Sequence, residues 1–194
     1  MVISSPSGGG KTTICRGLMR RNKDYIFSIS VTTRKRRENE RDGKDYYFLS
    51  EKEFKEKVRR GKLAEWARVH NHHYGTLKRF VDLAQKKGKT VLFDVDVQGG
   101  TTLKTKYADA ILIFLLPPSM EELRERLKHR EKANLKEVKT RIGVALKEMK
   151  FVSKYDYVVV NKEIDESIEA VEQIINSERR RTWRLNLKEL FEKM

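Results

Sequence analysis

The chain is predicted to be an α/β protein, a parallel β-sheet flanked by helices. Three observations lead there. Short apolar runs occur at residues 1–3, 90–95, 110–116 and 157–160. Segments of helical spacing lie between them, the pattern of parallel strands joined by crossover helices. A glycine-rich turn follows the first run directly and opens a helix-like stretch.

That turn reads Ser5-Pro6-Ser7-Gly8-Gly9-Gly10-Lys11-Thr12, followed by Thr13-Ile14-Cys15-Arg16-Gly17-Leu18-Met19. Strand, glycine turn and helix are the context a phosphate-binding loop requires. Successive backbone N–H groups curl around phosphate oxygens, and the helix N-terminus adds its positive dipole end. Lys11 is placed to reach the β- and γ-phosphates, and the Thr12 hydroxyl to face Mg²⁺. Ser5 stands where the motif G-x-x-x-x-G-K-[ST] has its first glycine. The sheet is therefore expected to be of the P-loop NTPase type, and the loop to bind a nucleoside triphosphate.

Further elements follow in order. Residues 25–76 are rich in Thr, Tyr, Arg and His, with turn signals at Asp42-Gly43 and Tyr74-Gly75. Strand-like alternation at 27–31 and 45–49 predicts a small sheet there, an inserted mixed α/β lobe. Ser50-Glu51-Lys52-Glu53 is a capping box opening a helix with Phe54 and Val58 on one face. Ser119-Met120-Glu121-Glu122 is a second, and Pro117-Pro118 ends the strand before it. Asp165 is expected to cap the helix carrying Ile168, Val171 and Ile175. Residues 178–194 are strongly charged and read as a surface helix. The charged stretch around Lys128-His129-Arg130-Glu131-Lys132 reads as a mobile connection between two helices.

Length bounds the answer to one domain with a substantial core. The composition is 38% hydrophobic and 37% charged, with a net charge of +15. Nucleic acid, acidic membranes and phosphorylated small molecules all suit that charge. One cysteine, Cys15, excludes an intramolecular disulfide. No apolar run approaches the 18 residues of a membrane span. Basic residues from Lys11 to Arg21 interrupt any secretory h-region, and the motif leaves no room for a targeting extension, so a cytoplasmic protein is expected.

Other residues carry chemistry. Asp94 ends an apolar run, where a carboxylate at a parallel strand's C-terminal end can help organise Mg²⁺, directly or through water. Asp96 follows two residues later. Arg34 and Arg37 offer planar forks for phosphate, and Tyr46 and Tyr74 phenolic donors; a solvated basic patch is the alternative for the arginines. Glu65 sits among Leu63, Ala64 and Trp66. A buried carboxylate needs donors. Guanine supplies two on one edge, whereas adenine presents an acceptor there; a structural pair with a neighbouring Arg is the alternative. His70, His72 and His73 have no carboxylate or Cys to complete a metal site.

Together these motifs resemble guanylate kinase along nearly the whole chain. The matching segments are Ser5–Lys11, Ser30–Arg37, Asp42–Phe48, Glu65-Trp66, Tyr74-Gly75-Thr76, Asp94–Gly99, Leu115–Ser119 and Tyr155–Asn161. The resemblance implies reversible phosphoryl transfer from ATP to GMP, giving ADP and GDP, with Mg²⁺. It implies that Ser30, Glu65 and Thr76 read guanine. Arg34, Arg37, Tyr46 and Tyr74 would hold the GMP phosphate, with Asp96 a further carboxylate of that pocket. Ser7, Gly8, Gly9, Gly10, Lys11, Thr12 and Thr13 would cradle ATP, with Asp94 beside the metal and Asn161 near the adenine. Lys11, Arg34, Arg130 and Arg141 would stabilise the transferring phosphoryl group. It divides the chain into a core (1–29, 80–124 and 142–194), a GMP-binding lobe (30–79) and a lid (125–141). His129, Glu131 and Lys132 depart from the usual lid residues. A monomer is expected, with a homo-oligomer as the alternative, and no specific nucleic acid or membrane partner. The rival readings are a kinase-like domain that binds phosphopeptides and a nucleic-acid-binding P-loop protein.

Overall fold

Among the described residues, the central sheet has five parallel strands, one more than the apolar runs predict. This computed structural model describes residues 1–69, 71–129 and 135–192. The chain runs β1 (Val2–Ser4), α1 (Lys11–Arg21), β2 (Tyr25–Phe27), β3 (Ser30–Thr32), β4 (Tyr47–Phe48) and α2 (Glu51–Arg59). It continues through β5 (Leu63–Val69), β6 (His72–Leu77), α3 (Lys78–Lys86), β7 (Thr90–Asp94), α4 (Val97–Lys106) and β8 (Leu112–Leu116). It ends with α5 (Met120–His129), α6 (Leu135–Met149), β9 (Tyr157–Val160), α7 (Ile164–Arg179) and α8 (Leu187–Glu192).

The sheet order is β2-β7-β1-β8-β9, all parallel. β2 is the strand that sequence reading merged with the next. Residues 27–31 look like one strand, but Ser28 and Ile29 carry the chain from the edge of the large sheet into the small one. A run too short to alternate more than once cannot announce that it changes sheets.

Alternation within each strand separates two layers. Ile3, Leu92, Ile113 and Leu115 pack with Ile14 and Leu18 of α1 and Ile168, Val171 and Ile175 of α7. Val2, Val91, Phe93 and Leu112 face the other way, onto Val81 and Ala84 of α3 and Leu103 of α4. Both faces of the sheet are thus covered, which is why its strands read as continuous apolar runs.

The second sheet, in the order β4-β3-β6-β5, closes over Val31, Phe54, Leu63 and Leu77. The Ser50 capping box forms in full, with the Glu53 N–H donating to Ser50 Oγ and the Ser50 N–H donating to Glu53. α5 and α6 pair through Leu123, Leu127, Val138 and Ala145. Two expectations are corrected. Glu163, not Asp165, is the N-cap residue of α7, and Asp165 lies in its first turn. The tail is not one helix: α7 runs to Arg179, a 3₁₀ turn follows at Thr182–Arg184, and then α8. At the break, buried Glu178 gathers Arg181, Arg184 and the Tyr157 hydroxyl around itself. No described helix is long and apolar enough to cross a membrane.

α1 and α7 approach so closely that a Cβ on Gly17 would fall within the Ile168 side chain, 2.9 Å from Cγ1. Gly17→Val should therefore overpack this layer and cost about 1–3 kcal/mol. Thermal denaturation should show a clear fall in Tm; an unchanged Tm would mean that the two helices do not meet at this point.

Candidate functional site

β1 lies between β7 and β8, while its own crossover leads two places away to β2. The crossover after β1 therefore runs toward the β2 edge, whereas the crossover after its neighbour β7 runs the opposite way, to β8. Such a switch point opens a crevice at the strands' C-terminal ends, the usual ligand position in α/β sheets.

The loop's geometry follows from what each residue lacks. Gly8 and Gly10 hold φ of 85° and 88°, backbone that side chains rarely adopt. A Cβ on Gly10 would lie 2.5 Å from Asn161 Nδ2. Gly9 has no room either, because the Ser5 side chain fills the space a Cβ would need. This accounts for Ser5 at the motif's first position. Its hydroxyl donates to Pro6 O at 2.8 Å and accepts from Lys11 Nζ at 3.2 Å. α1 begins at Lys11 with no side-chain cap on its first N–H groups, leaving them available to an anion. Ser7 and Thr13 flank this turn, Thr13 exposed. Thr12 Oγ1 donates to Asp94 Oδ2 at 2.5 Å, since β7 pairs with β1 in a register that sets Asp94 opposite Ile3. An oxygen pair of this kind suits a hard divalent cation.

Asn161 lies behind the loop rather than beside an open surface. It is 3% exposed, its Nδ2 donates to Gly9 O at 2.8 Å, and its Oδ1 accepts from Ser167 Oγ at 2.9 Å. Asp96 is likewise committed in part: it caps α4 by accepting from the Gly99 N–H at 2.8 Å.

Three lobe residues come together through strand register. Ser30 on β3 pairs with Thr76 on β6, and Thr76 pairs with Glu65 on β5 beside an irregularity between Leu63 and Glu65. Glu65 is 3% exposed and accepts one hydrogen bond, from Thr76 Oγ1 at 2.7 Å. No ion pair reaches it among the described residues, which argues against the arginine-paired alternative. Burial pushes its carboxyl up to about 7; the Thr76 hydrogen bond pulls the other way, and the Asp96 charge raises it further. Gly99 permits the approach of α4, since a Cβ there would lie 2.9 Å from Glu65 Oε2.

Arg34, Tyr46 and Tyr74 form a second cluster. The Arg34 guanidinium lies 5.4 Å from the Tyr46 ring centroid, and the two tyrosine rings meet edge-on at 6.1 Å. Burial pushes the Tyr46 phenol up to about 12, and the Asp94 charge adds to the rise. Sequence reading missed Glu40. Its carboxylate takes both Arg34 Nη atoms, at 2.7 and 3.0 Å, and accepts from the Arg37 N–H at 2.9 Å. Those hydrogen bonds, the Arg34 one first, hold its carboxyl below the usual range. The available signal was its position three residues after Arg37 and six after Arg34. Arg141 lies on α6, while Arg130 falls outside the described residues. His70 does too, and no group of three His, Cys, Asp or Glu that could hold a metal occurs among the described residues. A groove of about 540 Å³ between β9 and α7, lined by Tyr157, Val160 and Ser167 among others, contains none of the residues expected to touch ATP, GMP or Mg²⁺.

A phosphate loop at the switch point, in one chain with a lobe that carries a buried carboxylate and an arginine–tyrosine cluster, is the arrangement of a nucleoside monophosphate kinase. The family profile for guanylate kinase matches residues 1–178. The chain belongs to the guanylate kinase family. It is 45% identical over 179 residues to a guanylate kinase of Caldanaerobacter subterraneus subsp. tengcongensis, covering 92% of this chain and 87% of that one. It is 44% identical over 183 residues to a guanylate kinase of Thermotoga maritima, covering 94% and 88%. The crystal structure of guanylate kinase from Anaplasma phagocytophilum superposes with a TM-score of 0.82 at 33% identity, covering 99% of this chain and 92% of that one.

Glu65 has a thermodynamic consequence. Its folded-state carboxyl lies at about 7, above the ordinary 4.5. The stability it contributes is fully present below pH 4.5 and is lost as pH rises through 7. Against Glu65→Gln, which cannot ionise, the wild type should lose on the order of 2–3 kcal/mol between pH 4.5 and pH 8. Urea denaturation of both proteins at several pH values measures this; a difference independent of pH would remove the buried ionisation.

Proposed function

We infer that the two half-sites carry out Mg²⁺-dependent, reversible phosphoryl transfer from ATP to GMP, giving ADP and GDP. The observation that carries the base assignment is Glu65: buried, held by one hydroxyl and paired with no described cation. An ionised carboxylate in that position accepts from guanine N1–H and the exocyclic amine. Adenine would leave it facing an acceptor. Ser30 and Thr76 flank it across the strands.

Arg34, Arg37, Tyr46 and Tyr74 bind the GMP phosphate, and Glu40 orients the Arg34 fork. Ser7 to Thr13 bind the phosphates of ATP, with Lys11 neutralising charge on the β- and γ-phosphates. Asn161 supports this half-site from behind, by bracing Gly9. Thr12 and Asp94 would hold Mg²⁺, which when bound neutralises the phosphate oxygens. The acceptor is a phosphate oxygen, already anionic at neutral pH, so no general base is assigned. Alignment and charge neutralisation by Lys11, Arg34, Arg130 and Arg141 do the catalytic work. The lobe (30–79) and the lid (125–141) close on the core (1–29, 80–124 and 142–194) to exclude water, which would otherwise hydrolyse ATP.

A coupled assay for ADP, with ATP plus GMP, AMP, CMP or UMP, tests the acceptor side. GMP should be preferred by on the order of 10⁴ in kcat/KM, because a wrong base leaves buried polar groups unpaired. Equal turnover of AMP would remove the role given to Glu65. Lys11→Ala should lower kcat by at least about 10²-fold while leaving Tm within a few degrees. Wild-type turnover in that variant would refute the loop assignment.

A further inference from the structure

A carboxylate on α6 takes no part in the reading above, yet it touches the phosphate loop. Glu148 is in the last turn of α6, and its Oε2 accepts a hydrogen bond from the Ser7 backbone N–H at 3.3 Å, across 141 residues of sequence. Lys11, Asp96 and Tyr155 are the other titratable groups that act on it or feel it. Burial raises its carboxyl above the usual range, and Lys11 and the Ser7 hydrogen bond lower it again.

Two facts make the contact consequential. First, the Ser7 N–H belongs to the donor set assigned to the ATP phosphates. A phosphate chain and the Glu148 carboxylate would compete for it, two anions on one donor beside one lysine. Second, α6 forms a hairpin with α5, and the hairpin meets the loop at two points. Leu127 packs against Gly8, with Cδ2 3.3 Å from where a Cβ would stand, and Glu148 bonds to Ser7. Arg141 lies seven residues before Glu148, two turns along the same side of α6.

We propose that Glu148 is a positioning residue of the donor site: it holds the Ser7 N–H as a phosphate would, and ATP displaces it, releasing α6 to carry Arg141 to the phosphoryl group. A ligand shifts a conformational equilibrium only through a difference in affinity for the two states. Here the difference is the Ser7–Glu148 hydrogen bond and the repulsion that replaces it. The proposal rests on the loop being the ATP phosphate site.

The test uses Glu148→Gln, which keeps the size and the acceptor and removes the charge. Calorimetry with the β,γ-imido analogue of ATP and Mg²⁺, without GMP, should give a Kd about 3- to 10-fold lower than wild type. In steady state the same variant should show a lower KM for ATP and a kcat reduced about tenfold or more, because displacement no longer drives α6. A residue that only props up the helix would raise KM or leave both constants alone. Glu148→Ala should share the tighter binding, and Tm reports whether either variant folds. Unchanged or weaker analogue binding by Glu148→Gln overturns the proposal, and tighter binding with wild-type kcat overturns the coupling to Arg141. Lys11→Ala is the control. If it binds the analogue as wild type does, the loop assignment fails and this proposal with it. If binding depends on Lys11 but not on the Glu148 charge, the proposal alone fails.

Discussion

The donor half of the site depends on one buried amide. A phosphate loop works only if its N–H groups point inward, and a trans peptide points its C=O the opposite way. Asn161 takes the Gly9 carbonyl from behind, at 2.8 Å, so the Gly10 N–H on the same peptide plane is turned to the front. The amide is itself fixed. Its Oδ1 accepts from Ser167 on α7, its backbone N–H donates to Leu116 O at the end of β8, and its carbonyl accepts from Arg126 on α5. One residue thus joins the ends of β8 and β9, two helices and the loop. A buried amide with an unsatisfied group would cost about 1–3 kcal/mol, so each partner helps hold the others.

The acceptor half is built on two carboxylates driven in opposite directions. Glu65 is desolvated, has one hydroxyl for company and rises to about 7. Glu40, half-buried and held by the Arg34 fork and the Arg37 N–H, moves down. The first is an acceptor kept short of donors, which the proposed pairing with a base edge of two N–H groups would supply. The second is already saturated, and its work is to aim an arginine. Burial with no ion pair among the described residues and pairing with an arginine drive the two carboxyls apart, although both are glutamates of one small lobe.

Much of this was legible in the chain. Ser5 to Thr12 announced the loop because glycines, lysine and threonine at fixed spacing have few other uses. Ser50 and Glu53 announced the start of α2 because a capping box is local. The buried strands announced themselves through apolar runs. β2 did not, because three residues carry no usable period. Nor did Glu40, whose partner is set by a loop fold and not by a repeat. The break in the tail was hidden because the contact made there, buried Glu178 with Tyr157, joins segments 21 residues apart.

By itself the sequence determined which groups were present and their local spacing: a phosphate loop, a strand-end aspartate, two arginines near two tyrosines, and a glutamate in an apolar stretch. These are properties of neighbours along the chain, governed by backbone stereochemistry and hydrophobic period. Only the tertiary structure decided what each group faces. It put Asn161 behind the loop, set Ser30, Thr76 and Glu65 side by side through strand register, left Glu65 with no ion pair among the described residues and brought Glu148 to Ser7. The reason is physical: charge state and hydrogen bonding depend on distance and desolvation in space, and neither is a function of separation along the chain.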